Sequence, residues 1–236
     1  MPLPVRRHLF ALGAAALAGA LLLRFLPAAR AAPAALAPPP ATEAPVAPGG
    51  ALETAVFAGG CFWGLQAVFQ HVDGVTSAVS GYAGGSAASA RYPLVSSGVT
   101  GHAEAVRVVY DPRRIRYGQL MQIFFSVAHD PTQLNRQGPD HGTQYRSAVF
   151  PTTPAQAQAA RAYITQLDTA RTFGQPLATS VETDKTFHAA EAYHQDYLAR
   201  NPGDRYIVVN DLPKLDDLKR LFPAAWRDKP VLVGQR

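Results

Sequence analysis

One cysteine, Cys61, occurs in the whole chain, within Gly59-Gly60-Cys61-Phe62-Trp63-Gly64. A thiol attacks only as its thiolate, and a free cysteine with a pKa of about 8.5 is mostly protonated at neutral pH. The run Glu53–Ala58 reads as a strand, and Phe62, Leu65, Val68 and Phe69 recur at helical spacing. Cys61 therefore falls where a strand turns into a helix. The first N–H groups of a helix lack intrahelical partners and carry partial positive charge, so this placement is expected to lower the thiol pKa. Gly59 and Gly60 permit the tight turn. A lone cysteine elsewhere packs as a small hydrophobe; a packed interior seldom needs two consecutive large rings beside a turn.

Further polar positions invite chemistry. In Gly101-His102-Ala103-Glu104-Ala105-Val106, strand alternation puts Glu104 on the face of His102 and Val106, opposite Ala103 and Ala105. A glutamate on an apolar strand face is either an edge residue or an acid whose pKa burial has raised. The most polar run, Gln137 to Ser147, contains Asp140, His141 and Tyr145 and feeds a strand, which makes it either a solvated turn or a loop carrying binding groups. Tyr82 and Tyr92 are ordinary packing residues on spacing alone. His188, at the edge of a predicted helix over Ala189 to Arg200, and Glu191 and His194 within it stand at i, i+3 and i+6. Their side chains would fan over about 120°, and the zinc-protease pattern needs histidines at i and i+4, so no metal is assigned.

The elements that must position these residues interleave. Strands are predicted at Val75–Ser80, Ala103–Tyr110, Tyr145–Phe150 and Thr179–Phe187, with a glycine-rich loop at Gly81–Gly85 and another loop from Thr132 to Gly142. Helices are predicted at Tyr117–Ala128, from Pro154 through the alanine-rich run to Ala170, at Ala189–Arg200 and at Leu215–Leu221. The pattern implies a two-layer α+β domain with a mixed, largely antiparallel sheet and helices packed on one face.

The first fifty residues differ in kind. Arg6-Arg7 precedes the 15-residue apolar run Leu9–Leu23, and Ala29-Arg30-Ala31 offers small residues for cleavage. Residues 1–31 are expected to be an export signal, or a short membrane anchor if left uncleaved, placing the protein in a bacterial periplasm. The Pro/Ala-rich stretch 32–50 is expected to be a stiff tether with nothing to bury, and the folded domain to span 51–236. Of the net charge of +5, +3 lies in residues 1–50, where Arg6, Arg7, Arg24 and Arg30 face only Glu43, which leaves +2 on the remainder. No basic block with interleaved aromatics occurs, so a nucleic-acid partner is not expected.

Five blocks together carry a resemblance: Gly60-Cys61-Phe62-Trp63-Gly64, Gly81-Tyr82-Ala83-Gly84-Gly85, Gly101 to Val106, Asp140 to Ser147, and Ala192-Tyr193-His194-Gln195-Asp196-Tyr197. In this order, over roughly Leu52 to Pro202, they resemble the A-type peptide methionine sulfoxide reductases. The resemblance implies a ferredoxin-like fold and reduction of methionine S-sulfoxide, free or in proteins, without a bound cofactor. Carried over by position, Cys61 resembles the nucleophile, Glu104 the proton donor, Tyr92 and Tyr145 the oxygen-binding hydroxyls, Asp140 the acid that orders the site, and Phe62 and Trp63 the methyl pocket. Oxygen transfer would leave Cys61 as a sulfenic acid.

Many relatives carry recycling cysteines near the C-terminus, and often another where this chain has Ser96; Leu212–Arg236 contains none. An internal disulfide relay is excluded by count. The implied reductant is an outside thiol, a thioredoxin-like protein, a glutaredoxin or a small thiol, acting on a monomer. Two other readings compete: a methionine-oxide binding or redox-sensing module without turnover, and a thiol peptidase, which needs a histidine base that no spacing marks.

Overall fold

The computed structural model describes residues 34–235, so the expected export segment over 1–31 lies outside the described residues. In chain order the elements are β1 (Glu53–Gly59), α1 (Phe62–Gln70), β2 (Val75–Ala83), α2 (Tyr92–Val95), β3 (Ala103–Tyr110), α3 (Tyr117–Ile123), β4 (Arg136–Gln137), β5 (Asp140–His141), β6 (Ser147–Val149), α4 (Pro154–Thr169), β7 (Ser180–Val181), β8 (Phe187–Ala189), α5 (Tyr197–Arg200) and α6 (Leu212–Leu221). Six strands form one sheet in the order β7-β6-β1-β3-β2-β8, antiparallel throughout except for the β6–β7 pair. β4 and β5 make a separate short hairpin.

Alternation along β3 sorts the two faces of the sheet. Val106, Val108 and Tyr110 join the main core, while Ala103 and Ala105 lie with Val56, Ala58, Ala83, Ala148 and Phe150 on the other face. In the main core the Phe57 ring stacks on Phe69 of α1 at 5.2 Å and on Phe124 at 5.0 Å. Leu65 and Val68 of α1, Leu120 and Met121 of α3, and Ala160 and Tyr163 of α4 close the layer. Each large apolar side chain buried in this way contributes about 1.5–3 kcal/mol before the entropy of ordering it is charged. α4 starts where expected: Pro154 sits in its first turn, and the Thr153 side chain accepts the Gln156 N–H at 3.1 Å.

Several expectations need correction. Gly81–Ala83 is strand rather than loop, because β2 is paired on both sides there: Tyr82 lies opposite Glu104 of β3 and His188 of β8. A Cβ at Gly81 would collide with the His188 carbonyl, so glycine is what lets β8 approach. The single strand expected over Thr179–Phe187 is two, β7 and β8, on opposite edges of the sheet, with Asp184 at φ 58° breaking the extended run between them. The helix expected over Ala189–Arg200 is instead a 3-10 turn at Ala192–His194 followed by α5, separated by Asp196 at φ 55°. There the buried Gln195 side chain takes over backbone pairing, accepting from Ser80 N at 3.0 Å and donating to Ser80 O at 2.9 Å. The helix from Tyr117 widens into a π turn at Phe124–Ala128, and α6 begins at Leu212, after another π turn at Ile207–Asp211.

The stretch expected to be a tether with nothing to bury is strapped to the domain from residue 34 onward. Ala37 is fully buried and Ala44 nearly so. Ala37 donates its N–H to Ser126 Oγ at 3.0 Å and receives Gln122 Nε2 at 2.7 Å, while the Tyr163 hydroxyl donates to Pro38 O at 2.6 Å. The physical reason is that proline lacks an N–H needing a partner but keeps its carbonyl as an acceptor, and alanine is small enough to lie against α3 and α4.

Candidate active site

β1 delivers the chain to the site and two glycines turn it. Gly60 has φ 87°, a conformation side chains resist, and a Cβ there would come within 2.5 Å of Gln137 Cγ. Gly59 has no such φ; its side is filled by His129, whose Cγ would lie 2.8 Å from an added Cβ. Cys61 is then the N-cap of the nine-residue α1. It is partly exposed, in a pocket of about 190 Å³ lined by Cys61, Phe62, Trp63, Tyr92, Glu104, Asp140, Tyr145 and Tyr206. All seven residues singled out from the sequence therefore meet in one cavity.

Glu104 is 2% exposed, and its Oε2 accepts the Phe62 N–H at 3.0 Å, which leaves Oε1 for the pocket. Burial, with the charge of Asp140 adding and the Phe62 N–H opposing, pushes its carboxyl up to about 8. Of the two possibilities open for this residue, the structure selects the buried acid: at neutral pH Glu104 is chiefly a proton donor. Burial and the nearby Glu104 carboxyl also raise the Tyr92 and Tyr145 hydroxyls, so both remain donors. Tyr92 arrives on α2, and its N–H is held by Glu191 Oε1 at 2.9 Å. Tyr145 closes a 3-10 turn that follows β5.

The thiol departs from expectation. Burial pushes Cys61 well above the usual thiol range, the Glu104 carboxyl when ionised and Asp211 push the same way, and the Trp63 amide and Lys214 pull back. Desolvation outweighs the favourable end of a short helix, and the resting site holds a thiol rather than the expected thiolate.

The apolar wall is built from rings. Phe62 packs on His194 at 4.9 Å and Tyr82 at 5.9 Å, and Trp63 stacks on Tyr197 at 3.7 Å with the Tyr206 edge at 6.0 Å. The Trp63 indole N–H donates to His194 Nδ1 at 3.2 Å, which puts the ring proton of neutral His194 on Nε2. Burial lowers the His194 pKa and keeps it neutral, with Glu191 opposing. Tyr206 donates its hydroxyl to Asp140 Oδ2, tying the β5 hairpin to the segment before α6.

His194, Tyr197 and Tyr206 were not identified as site residues from spacing, although a half-buried indole N–H demands an acceptor and the chain offers few histidines to supply one. His188, Glu191 and His194 do not share a helix: His188 is in β8, Glu191 receives the Tyr82 hydroxyl at 2.8 Å, and only His194 reaches the pocket wall. No cluster among the described residues could hold a metal ion.

Comparison with known proteins agrees with this geometry. The family model described as peptide methionine sulfoxide reductase matches residues 53–225. A peptide methionine sulfoxide reductase MsrA 2 from Mesorhizobium japonicum is 60% identical over 181 residues, covering 77% of this chain and 93% of that protein. The MsrA of Deinococcus radiodurans is 51% identical over 175 residues, covering 74% of this chain and 84% of its own. Among solved structures, reduced Mxr1 from Saccharomyces cerevisiae superposes with TM-score 0.59 at 33% identity over 67% of this chain and 90% of that one. Methionine sulfoxide reductase A of Corynebacterium diphtheriae gives 0.57 at 35% identity over 66% of this chain and 77% of its own. With a cysteine, a buried acid, two hydroxyl donors and an aromatic wall converging inside the matched region, the chain belongs to the A-type peptide methionine sulfoxide reductases.

Proposed function

We propose that the protein reduces methionine S-sulfoxide, in proteins or free, to methionine. The observation that carries the reading is the convergence of the Cys61 thiol, the protonated Glu104 and the Tyr92 and Tyr145 hydroxyls on one small pocket walled by Phe62 and Trp63. The sulfoxide oxygen accepts hydrogen bonds from the three donors, and the methyl lies in the aromatic notch. As Cys61 sulfur attacks, the S–O bond of the substrate breaks and the two electrons reduce its sulfur to the thioether. The oxygen passes to Cys61 as a sulfenic acid, and Glu104 relays the proton the oxygen needs as negative charge builds on it. Asp140, bound by Tyr206, holds the loop carrying Tyr145. The strand succession β1-α1-β2-β3-α3-β6, ordered β6-β1-β3-β2, supports reading the core as ferredoxin-like.

With one cysteine in the chain, the sulfenic acid has no internal partner. An outside thiolate attacks the Cys61 sulfur and releases water; a second thiol then splits the mixed disulfide, returning Cys61 and leaving the reductant oxidised. A thioredoxin-like protein, a glutaredoxin or a small thiol meets this need. Export to a periplasm, directed by residues 1–31, places that reductant outside the cytoplasm. Fractionation followed by N-terminal sequencing tests the address.

The reduced protein, given methionine S-sulfoxide and no reductant, is expected to release about one methionine per Cys61 and stop, with the sulfenic acid captured by a dimedone-type reagent. Activity persisting in Cys61→Ser overturns the reading. The absence of a second cysteine also suits a sensor whose sulfenic acid a partner reads; many turnovers with a dithiol exclude that alternative.

A further inference from the structure

Against the first turn of α1 lies a pair of charges that the reaction above does not use. Asp211 closes the π turn before α6 and is wholly buried; its Oδ1 takes Lys214 Nζ at 3.0 Å. Its other oxygen, Oδ2, is buried without a protein partner. The pair presses on Gly64: a Cβ there would collide with Asp211 Oδ1 and lie 2.9 Å from Lys214 Nζ. Gly64 is the third residue of α1, and Cys61 is its N-cap. A cap side chain is placed to reach the N–H groups of the second and third helical residues, so charges pressed against Gly64 share a turn with the Cys61 sulfur.

The bland account is that Asp211 caps α6. It does not: the carboxylate makes no capping bond to that helix, and Pro213 in its first turn removes one donor that a cap would serve. A buried carboxylate with one oxygen unpaired costs stability, as does the glycine that makes room for it. Other groups nearby cannot supply the positive charge. Glu104 on β3, Asp140 on β5 and Asp204 before α5's successor segment are acids, Tyr206 is a neutral hydroxyl, and buried His129 is held neutral. Among the charges that act on the Cys61 sulfur, Lys214 is the cation, with a smaller pull than the push of Asp211 and, once ionised, Glu104.

We propose that Lys214 is the cation that draws Cys61 toward its thiolate, and that Asp211 is a positioning residue that anchors Lys214 and restrains its effect. The inference rests on the reading of Cys61 as the nucleophile, and deepens it. A lysine on a flexible stem holds no fixed place unless paired; the buried carboxylate fixes it beneath the cysteine turn. Opposite charges side by side then set how readily the thiol ionises, with the cation favouring the thiolate and the anion the thiol.

The test uses the full chain, in which Cys61 alone reacts with iodoacetamide, and follows alkylation rate against pH. Below the titration midpoint the rate tracks the thiolate fraction, so Lys214→Met is expected to slow alkylation by about three- to tenfold and Asp211→Asn to speed it by about threefold. Lys214→Arg, which keeps the charge, is expected to stay within about twofold of the parent. Shifts of the two charge-removing variants in the same direction, or no shift of either, would overturn the proposal. A merely structural pair lowers thermal stability in both variants without moving the titration in opposite senses. If Lys214→Met melts below the assay temperature, comparing Lys214→Gln with Lys214→Arg in the cold reads the same difference. Alkylation needs no sulfoxide: opposed shifts without sulfoxide reduction refute the proposed function and leave the pair standing, whereas sulfoxide reduction without opposed shifts does the reverse.

Discussion

Replacing Glu104 by glutamine keeps the side chain's shape and its acceptor for the Phe62 N–H while removing the transferable proton. With its pKa pushed up to about 8 from an ordinary 4.5, the parent acid is about 90% protonated at pH 7, against about 0.3% for an unperturbed glutamate. Burial therefore raises the donor population by about 300-fold. Attack needs Glu104 protonated and Cys61 as its thiolate, and the Cys61 pKa lies above that of Glu104. The single-turnover rate of methionine formation should therefore rise about tenfold per unit up to about pH 8 and level off above it, where the gain of thiolate offsets the loss of the acid. Glu104→Gln should lower the rate at pH 7 by about 10²–10⁴ with substrate binding largely retained, and the break near pH 8 should vanish, the rate continuing to rise with the thiolate. Rapid-quench measurement from pH 5.5 to 9.5, in the absence of reductant, reads both features. The same shift has a stability consequence. The folded pKa lies above the unfolded value, so the group's stabilising contribution is full below about pH 4.5, declines as pH rises, and is gone once pH has passed about 8. At pH 7 the accumulated loss is about 3 kcal/mol, which Glu104→Gln should recover. A break near pH 8 that survives in the glutamine variant, or a rate at pH 7 lowered less than about tenfold, would refute Glu104 as the donor.

Gly60→Ala places a side chain at φ 87° and against Gln137; it should cost about 1–3 kcal/mol in denaturant unfolding and lower the alkylation rate of Cys61 by displacing the turn. Removing residues 1–50 should lower the melting temperature by several degrees while leaving single-turnover reduction intact, because Ala37, Ala44 and the Tyr163–Pro38 bond go with the strap. An unchanged melting temperature would return that segment to the status of a tether.

The site was more legible than the fold around it. Cys61, Phe62 and Trp63 are contiguous, and the glycines before them leave the local chain few ways to turn, so a strand-to-helix junction could be read directly. Glu104 was legible as a choice between edge residue and buried acid, because alternation fixes which face a side chain takes but not what covers that face. Asp140 and Tyr145 came from the ordered blocks that resemble a family, and Tyr92 from its position between two of them, not from any periodicity. The segments that misled are those where one side chain outside the local pattern decides. Asp196 at φ 55° and the Gln195 side chain bonded to Ser80 turn a helical composition into a short turn. β8, arriving from the far edge of the sheet, turns a glycine-rich stretch into strand. The strap over 34–47 misled because proline and alanine composition describes what a segment lacks, not the complementary groove that receives it.

What the chain's order of residues settled was the place of its one cysteine at a strand-to-helix turn, the α+β class, and the absence of a second cysteine to pair with it, since a count of one holds whatever the fold. What waited on packing was the ionisation of the site. A helix terminus read in one dimension promised a thiolate; folded, desolvation of Cys61 beside Glu104 and Asp211 makes it a thiol, and desolvation of Glu104 makes it an acid. Both outcomes have one cause. The cost of a charge depends on how much water has been removed around it, and only the folded chain, bringing β3, β5 and the turn before α6 onto the start of α1, removes that water.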